Sequence, residues 1–301
     1  MNQFKVTEVR ADESIRDEAL GTKDKFWLEN DGVRFLFKEA RPGTGEDWSE
    51  KLAGEIALLC KVKAAKIELA ICDGKRGTLS ESFIDLSIGE DLIHGNEILA
   101  GQVLGYERSK RFGQSDHSLD NIYLAISNVF TGKADKIDIL QQLASYMVLD
   151  ALIGNVDRHH ENWGLVGHPE TDRQGNRTFL VYVAPTYDHA SCLGRELLDD
   201  RIDRLLSESG GVERYISKGK GAVYISSEDK HGANPLRLVE FGNRKFPEFF
   251  NKAIGNLKST SLSDMLDLAD MIPGDRISPS ARTFVKQILT YTYNKICNLK
   301  T

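Results

Sequence analysis

Residues 154–162 read Gly154-Asn155-Val156-Asp157-Arg158-His159-His160-Glu161-Asn162. They follow a helical pattern, Lys136 to Ile153, whose apolar residues fall at 137, 140, 144, 147, 148 and 151, the spacing of one helix face. Gly154 is the stop signal for that helix. Beyond the stretch, Trp163–Gly167 and Thr178–Ala184 read as strands around a polar turn. A loop that leaves a buried helix, offers an Asp, then basic residues, then an Asn five positions after the Asp, has the make-up of a phosphotransferase catalytic loop. In that chemistry Asp157 accepts or orients a hydroxyl proton, and the side-chain oxygen of Asn162 takes a magnesium ion. Taken alone, the segment reads equally well as a polar helix-to-strand connection, because Asp, Asn and His are common in loops.

The downstream spacing adds to this. If the two strands pair antiparallel around a turn centred near Gly175, Asn162 lies opposite Asp188. Asp188 stands in Thr186-Tyr187-Asp188-His189-Ala190-Ser191, just after Pro185. An Asn and an Asp side by side are oxygen donors suited to magnesium beside phosphates; the plainer reading of Asp188 is a turn former. Upstream, a helix is expected over 46–61. At roughly 100° per residue its Trp48, Leu52, Ile56 and Leu59 form one stripe, with Glu55 inside it and Glu50 on the opposite, solvent side. A carboxylate on a buried face needs a partner. The nearest cation is Lys38, at the end of the strand Val33–Lys38. Such a strand Lys and helix Glu hold nucleotide phosphates in kinases; a structural ion pair is the alternative. Before the first hairpin, Gly21-Thr22-Lys23-Asp24-Lys25 offers a Gly, a hydroxyl, backbone amides and two lysines to a phosphate, without a Walker lysine motif or a full GxGxxG.

The rest of the chain sets bounds. It has 301 residues, 41% hydrophobic and 28% charged, enough for one large domain or two modest ones. Its net charge of −6 argues against a generic nucleic-acid coat or a polybasic membrane binder. No apolar run reaches the length of a membrane span, and the longest, Tyr146 to Ile153, is interrupted by Asp150. Cys60, Cys72, Cys192 and Cys297 form no metal-ligand spacing, so free thiols in a reducing cytoplasm are expected. The amino-terminal residues show no signal-peptide core. His159-His160-Glu161 lacks the HExxH spacing of a zinc site. The first 90 residues read as strands with one helix: a hairpin of Lys25–Leu28 and Val33–Lys38 around Glu29-Asn30-Asp31-Gly32, then strands at Lys66–Cys72 and Thr78–Ile84. Helical patterns follow, including 195–206, 236–256 and 280–298. Arg214 to Gly221 reads as a flexible basic segment, either a contact for an acidic protein or a solvated loop. His94-Gly95-Asn96-Glu97 borders a nucleotide or forms an ordinary turn.

Asp150 to His159, followed by Asn162-Trp163-Gly164, resembles the HipA-like serine/threonine kinases, and Tyr187-Asp188 with Ser191-Cys192-Leu193 resembles the metal-Asp segment of their compact members. The loop is also faintly similar to that of phosphatidylinositol kinases. The resemblance covers roughly residues 20–200. It implies Asp157 as catalytic Asp, Asn162 and Asp188 as magnesium ligands, Lys38 as the ATP-phosphate lysine, and His159 as a residue that approaches the nucleotide or braces the loop. Three departures stand out. The full-length toxin kinases have a longer amino-terminal part; their phosphate loop carries a regulatory serine where this one has only Thr22; and the hairpin between Asn162 and Asp188 is longer here.

The expectation is an α+β, bilobal, protein-kinase-like fold. A small antiparallel-sheet lobe (1–90) covers ATP, and a larger helical lobe (91–301) carries the catalytic loop. The expected protein is a cytoplasmic, ATP- and Mg2+-dependent serine/threonine protein kinase. Its Gly21, Thr22, Lys23, Lys38, Glu55 and His159 would serve the nucleotide, Asn162 and Asp188 the metal, and Asp157 the hydroxyl. Expected partners are a protein substrate with a Ser/Thr acceptor and an antitoxin-like protein, with no direct nucleic acid and no membrane. The alternatives are a lipid or small-molecule kinase of the phosphatidylinositol type and a nucleotide-binding pseudokinase.

Overall fold

Asp-Gly dipeptides close two hairpins of the strand-rich first part. In a computed structural model, which describes residues 2–11, 14–17, 25–130, 132–171, 175 and 177–300, the strands are β1 (Val6–Val9), β2 (Ser14–Asp17), β3 (Lys25–Asn30), β4 (Val33–Glu39), β5 (Ile67–Cys72) and β6 (Lys75–Glu81). They form one sheet in the order β1-β5-β6-β4-β3-β2. Asp31 and Gly32, at φ 50° and 77°, join β3 to β4, and Asp73 and Gly74, at φ 48° and 81°, join β5 to β6. Positive φ at both central residues is the type I′ geometry that matches strand twist. The second hairpin is tighter than the sequence reading placed it: β6 starts at Lys75, not Thr78, because Asp73-Gly74 alone completes the turn. Strands β1 and β2 had no clear signal; β1 is short and pairs parallel to β5.

Lys38 sits well inside this sheet, opposite Lys25 on β3 and Thr78 on β6. Gly77 makes the close pairing possible there, since a Cβ on it would lie 2.3 Å from the Lys38 carbonyl oxygen. The helix α1 (Glu46–Leu59) follows β4. Its Trp48, Leu52 and Ile56 belong to the main hydrophobic core, while Leu28, Phe37, Ala70, Cys72 and Leu79 form a separate small cluster in the sheet.

A second sheet, in the order β7-β8-β9, is built from β7 (Asp91–His94), β8 (Gly164–Thr171) and β9 (Arg177–Val183). The remaining helices are α2 (Gly95–Gln102), α3 (Leu119–Val129), α4 (Lys133–Ile153), α5 (Asp199–Ser207), α6 (Gly211–Ser217), α7 (Pro235–Lys245), α8 (Pro247–Lys258), α9 (Leu262–Asp270) and α10 (Pro279–Cys297). Helix α4 is the centre of the large core, packed by α7, α8 and α10. The single helix read over 236–256 is in fact two, α7 and α8, because Pro247 has no N–H to continue the ladder. The fold is thus mixed α+β, as the sequence reading had it.

Two long-range ties hold the first sheet to the helices. Asp47, fully buried on α1, receives Arg76 of β6 and Arg276 from the loop before α10, the latter at 2.7 Å and itself fully buried. Arg276 also donates to the Ala70 carbonyl at 3.0 Å. Among the described residues no helix is long and apolar enough to cross a membrane. Cys60, Cys192 and Cys297 are free thiols.

Candidate active site

Helix α4 ends where its geometry must change hand. Gly154 adopts φ 67°, a left-handed cap that turns the chain out of the helix. The next residues are then folded by one buried network. Asp150, inside α4, accepts from Asn155 Nδ2 at 2.7 Å and from Arg158 Nε and Nη2 at 2.8 and 2.7 Å. Asn155 Oδ1 in turn accepts the Asp157 amide at 3.1 Å. Arg158 Nη1 reaches the Asn162 carbonyl at 2.6 Å and the Tyr187 carbonyl at 3.4 Å. Burial disfavours the charge on Arg158, but Asp150 more than offsets this and holds it cationic. One buried guanidinium therefore joins the end of α4 to the residues beside Asn162 and Asp188. The sequence held a clue: Asp150 is the lone charge in an apolar helical run, and a buried carboxylate implies a buried cation.

Asn162 is itself buried, and its Nδ2 donates to the Asp157 carbonyl at 2.8 Å, which leaves Oδ1 to act as an acceptor or ligand. The Asp157 carboxyl is pushed above its ordinary value, first by burial and then by the nearby charge of Asp188. Ser191 Oγ donates to Asp157 Oδ2 at 3.3 Å. Asp157 and Asp188 are close enough to repel, and the Asn162 amide is bonded to the Asp157 backbone; carboxylate and amide oxygens of this kind are donors that suit a divalent cation.

The hairpin that returns the chain to this point differs in register from expectation. Thr171 pairs with Arg177 and Leu165 with Val183, so the turn is centred one residue earlier than Gly175. Gly175, at φ 86°, takes the fourth position of the connection rather than its middle. Continued downward, that register sets Asn162 level with Thr186, not with Asp188. What places Asp188 is a set of contacts outside the ladder. Thr186 exchanges backbone bonds with Lys63 and Ala65, at 2.9 Å each, and the Tyr187 hydroxyl donates to the Glu161 carbonyl at 2.8 Å. Asp188 then takes φ 60°, a left-handed conformation unfavourable for a non-glycine residue. Its Oδ1 lies 3.3 Å from Lys38 Nζ. Lys38 and Asp188 thus meet across the gap between β4 and the end of the second sheet.

The expected Lys38–Glu55 pair is not what forms. Glu55 pairs with Lys51, one turn earlier on α1, and Lys51 also donates to the Ile67 carbonyl at 2.8 Å. Glu50, which the helical wheel put in solvent, is buried. The first two turns of α1 are enclosed on more than one side: Glu46, Asp47, Ser49 and Glu50 are all buried with Trp48 and Leu52. A wheel drawn from apolar residues cannot register that. Glu50 Oε1 is 3.5 Å from His189 Nδ1, and Glu50 Oε2 has no hydrogen-bond partner among the described residues. Burial works against its charge, yet the bond and charge of His189 and the charge of Lys38 keep its carboxyl below the ordinary range. His189 Nε2 is 2.8 Å from Thr186 Oγ1. Glu50 and Ser191 are the residues that sequence reasoning missed.

His159 is buried, and its Nδ1 accepts the Glu161 amide at 3.2 Å, so it braces the loop. Burial and the charge of Arg111 lower its pKa to about 4. Gly21, Thr22 and Lys23 lie outside the described residues. His94 opens α2 and its Nδ1 is 3.0 Å from the Glu161 carbonyl, so residues 94–97 form a helix start. Trp163 is a core residue whose indole N–H donates to His117 at 3.0 Å. No cluster of metal-binding type forms from three or more His, Cys, Asp or Glu among the described residues.

No protein-family model matches the sequence, and no curated protein matches it either. Solved structures do. The Helicobacter pylori proinflammatory kinase CtkA superposes with a TM-score of 0.76 at 18% identity, over 94% of this chain and 92% of its own. HipA of Shewanella oneidensis MR-1, solved in a toxin–antitoxin complex with HipB and operator DNA, superposes with a TM-score of 0.56 at 13% identity. That match covers 93% of this chain but 64% of HipA, so the chain spans about two thirds of that protein. The chain therefore has the fold of the CtkA kinase and of HipA.

Proposed function

We propose that this protein is a HipA-like serine/threonine protein kinase, dependent on ATP and Mg2+. The observation that carries the reading is the convergence of Lys38, Asp188, and the Asp157 and Asn162 of one loop, from three separate segments, on a fold that a known kinase shares. In this reading residues 1–90 form the lobe that covers the nucleotide and residues 91–301 the lobe that presents the acceptor. Lys38 holds the nucleotide phosphates. Glu50, not Glu55, is the helix carboxylate that complements it. Gly21, Thr22 and Lys23 are the phosphate-loop candidates by sequence alone, and His159 stiffens the catalytic loop. Asn162 Oδ1 and the Asp188 carboxylate would hold magnesium, whose chemistry is to neutralise charge on the transferred phosphoryl group.

The step itself is an in-line displacement. The acceptor oxygen bonds to the γ-phosphorus, the bond from that phosphorus to the β–γ bridging oxygen breaks, and ADP leaves with the bonding pair. The hydroxyl proton goes to Asp157, whose raised affinity for protons suits it to receive one. The fold match to HipA, and the HipB chain in that structure, support an antitoxin-like protein partner. A cytoplasmic location fits the free thiols of Cys60, Cys192 and Cys297.

The test is transfer of label from [γ-32P]ATP, with and without Mg2+, to protein and lipid fractions of a cell extract. Label on Ser or Thr of protein, lost in Asp157→Asn, is the expected result. Label in lipid alone would replace the reading with a phosphatidylinositol-type kinase. Full activity of Asp157→Asn would remove Asp157 from its role, and no Mg2+-dependent ATP binding by calorimetry would make the chain a pseudokinase.

A further inference from the structure

Asp157 borders a cavity of ≈ 600 Å³. Asp157 and Ser191 line it, whereas neither Lys38 nor Asp188 does. Its far wall comes from α5, α6 and residues 218–221. The charge of this wall is opposite to that of the molecule. The whole chain carries −6, yet the cavity is lined by six cations, Arg111, Arg195, Arg201, Arg214, Lys218 and Lys220, against three carboxylates, Asp157, Glu196 and Glu208.

Some of these charges are already neutralised. Arg195 pairs with Glu46 at 3.0 Å, Arg111 with Glu161, and Arg214 with Glu208. Arg201, Lys218 and Lys220 have no carboxylate partner among the described residues, and all three are exposed. The segment that carries the lysines is also held in place rather than loose. Asn234 Nδ2 donates to the Ile216 carbonyl at 2.7 Å and to the Gly219 carbonyl at 3.1 Å, and the Gly221 amide bonds to the Ala233 carbonyl at 2.9 Å. Phe112, 66% exposed, adds an apolar edge next to His159.

We infer that this cavity binds the acceptor polypeptide and selects a Ser or Thr flanked by Asp and Glu. The inference rests on the kinase reading above and names its substrate class. A chain of net charge −6 disfavours an acidic segment, whereas this cavity, with six cations to three carboxylates, attracts one, and its lining includes Asp157. Charge complementarity of this kind sets selectivity and encounter rate.

Fluorescence anisotropy tests it without nucleotide. The probes are a labelled peptide with one Ser among Glu and Asp, a matched peptide with Gln and Asn, and a single-stranded RNA oligonucleotide. The expected result is about tenfold tighter binding of the acidic peptide than of the neutral one at low salt, weakening as salt rises. In Arg201→Gln/Lys218→Gln/Lys220→Gln that preference should fall to about twofold or less, since each exposed charge contributes modestly. The substituted side chains are exposed, so an unchanged thermal melting curve checks the fold. Equal binding of the two peptides, a preference that survives the triple substitution, or binding of RNA in place of the acidic peptide would each overturn the inference. Phosphoryl transfer is measured separately. Transfer without acidic preference defeats the cavity's role and leaves the kinase reading, whereas acidic-peptide binding without any transfer does the reverse.

Discussion

If Asp157 takes the hydroxyl proton as proposed, it is a residue on which stability and activity pull in opposite directions. Burial, and then the neighbouring charge of Asp188, raise its pKa above the ordinary 3.8. A carboxyl whose folded pKa is raised favours folding while protonated and loses that contribution as pH climbs through the folded value. Asp157→Asn should therefore melt at a higher temperature than wild type at pH 7, with the difference vanishing below pH 3.8, where both forms are neutral in both states. The same substitution should lower phosphoryl transfer by about a hundredfold or more, the usual contribution of a positioned proton acceptor. Scanning calorimetry across pH and a transfer assay check the two halves. The acid limb of the rate profile should likewise lie above the ordinary carboxylate range. A second residue-scale prediction separates the two glutamates of α1. On the proposed reading Lys38 holds the phosphates, so Glu50→Gln should cost transfer about a hundredfold by letting that lysine shift. Glu55→Gln should stay within about twofold, since its pair with Lys51 is an i,i+4 contact worth only about 0.5 kcal/mol. Comparable losses in both variants would return the role to Glu55.

At the scale of elements, strand β4 and the loop after α4 do the positioning. Lys38 reaches Asp188 only because β4 lies close against β6, and Gly77 permits that approach. Gly77→Ala places a methyl group 2.3 Å from the Lys38 carbonyl oxygen, so the strands must separate. The expected cost is about 1–3 kcal/mol of stability, together with weaker ATP binding. Urea unfolding and calorimetric titration of ATP read these separately; a variant that keeps wild-type values in both would show that the approach has slack. The loop after α4 owes its shape to Asp150, Asn155 and Arg158, none of which need touch a substrate. Its precision is a property of a buried, saturated network.

At the scale of the molecule, the first sheet and the helical part are tied through charge as well as through apolar packing. Asp47, Arg76 and Arg276 come from α1, β6 and the approach to α10, and Arg276 is fully buried. Arg276→Met removes one cation from a buried carboxylate and should destabilise the protein by about 3 kcal/mol. Thermal melting checks this, and a change below about 0.5 kcal/mol would assign the tie to Arg76 alone. The core that runs from Trp48 and Leu52 on α1 through α4 to α10 is continuous, so the chain should melt in one cooperative transition.

Some of this was legible in the residues and some was not, for one physical reason. The Asp-Gly turns, the Gly154 helix stop, the α4 pattern and the run from Asp157 to Asn162 depend on neighbours close in the chain, so the amino-acid sequence by itself determined them. The general α+β division did as well, because periodicity reports secondary structure wherever it occurs. The tertiary structure alone decided which side of α1 faces inward, and so whether Glu50 or Glu55 is buried, since that depends on segments up to Arg276 that pack around it. It also decided the hairpin register, the left-handed turn at Asp188, and the basic cavity beyond Asp157. Each is set by contacts between residues far apart in sequence, where local spacing carries no information.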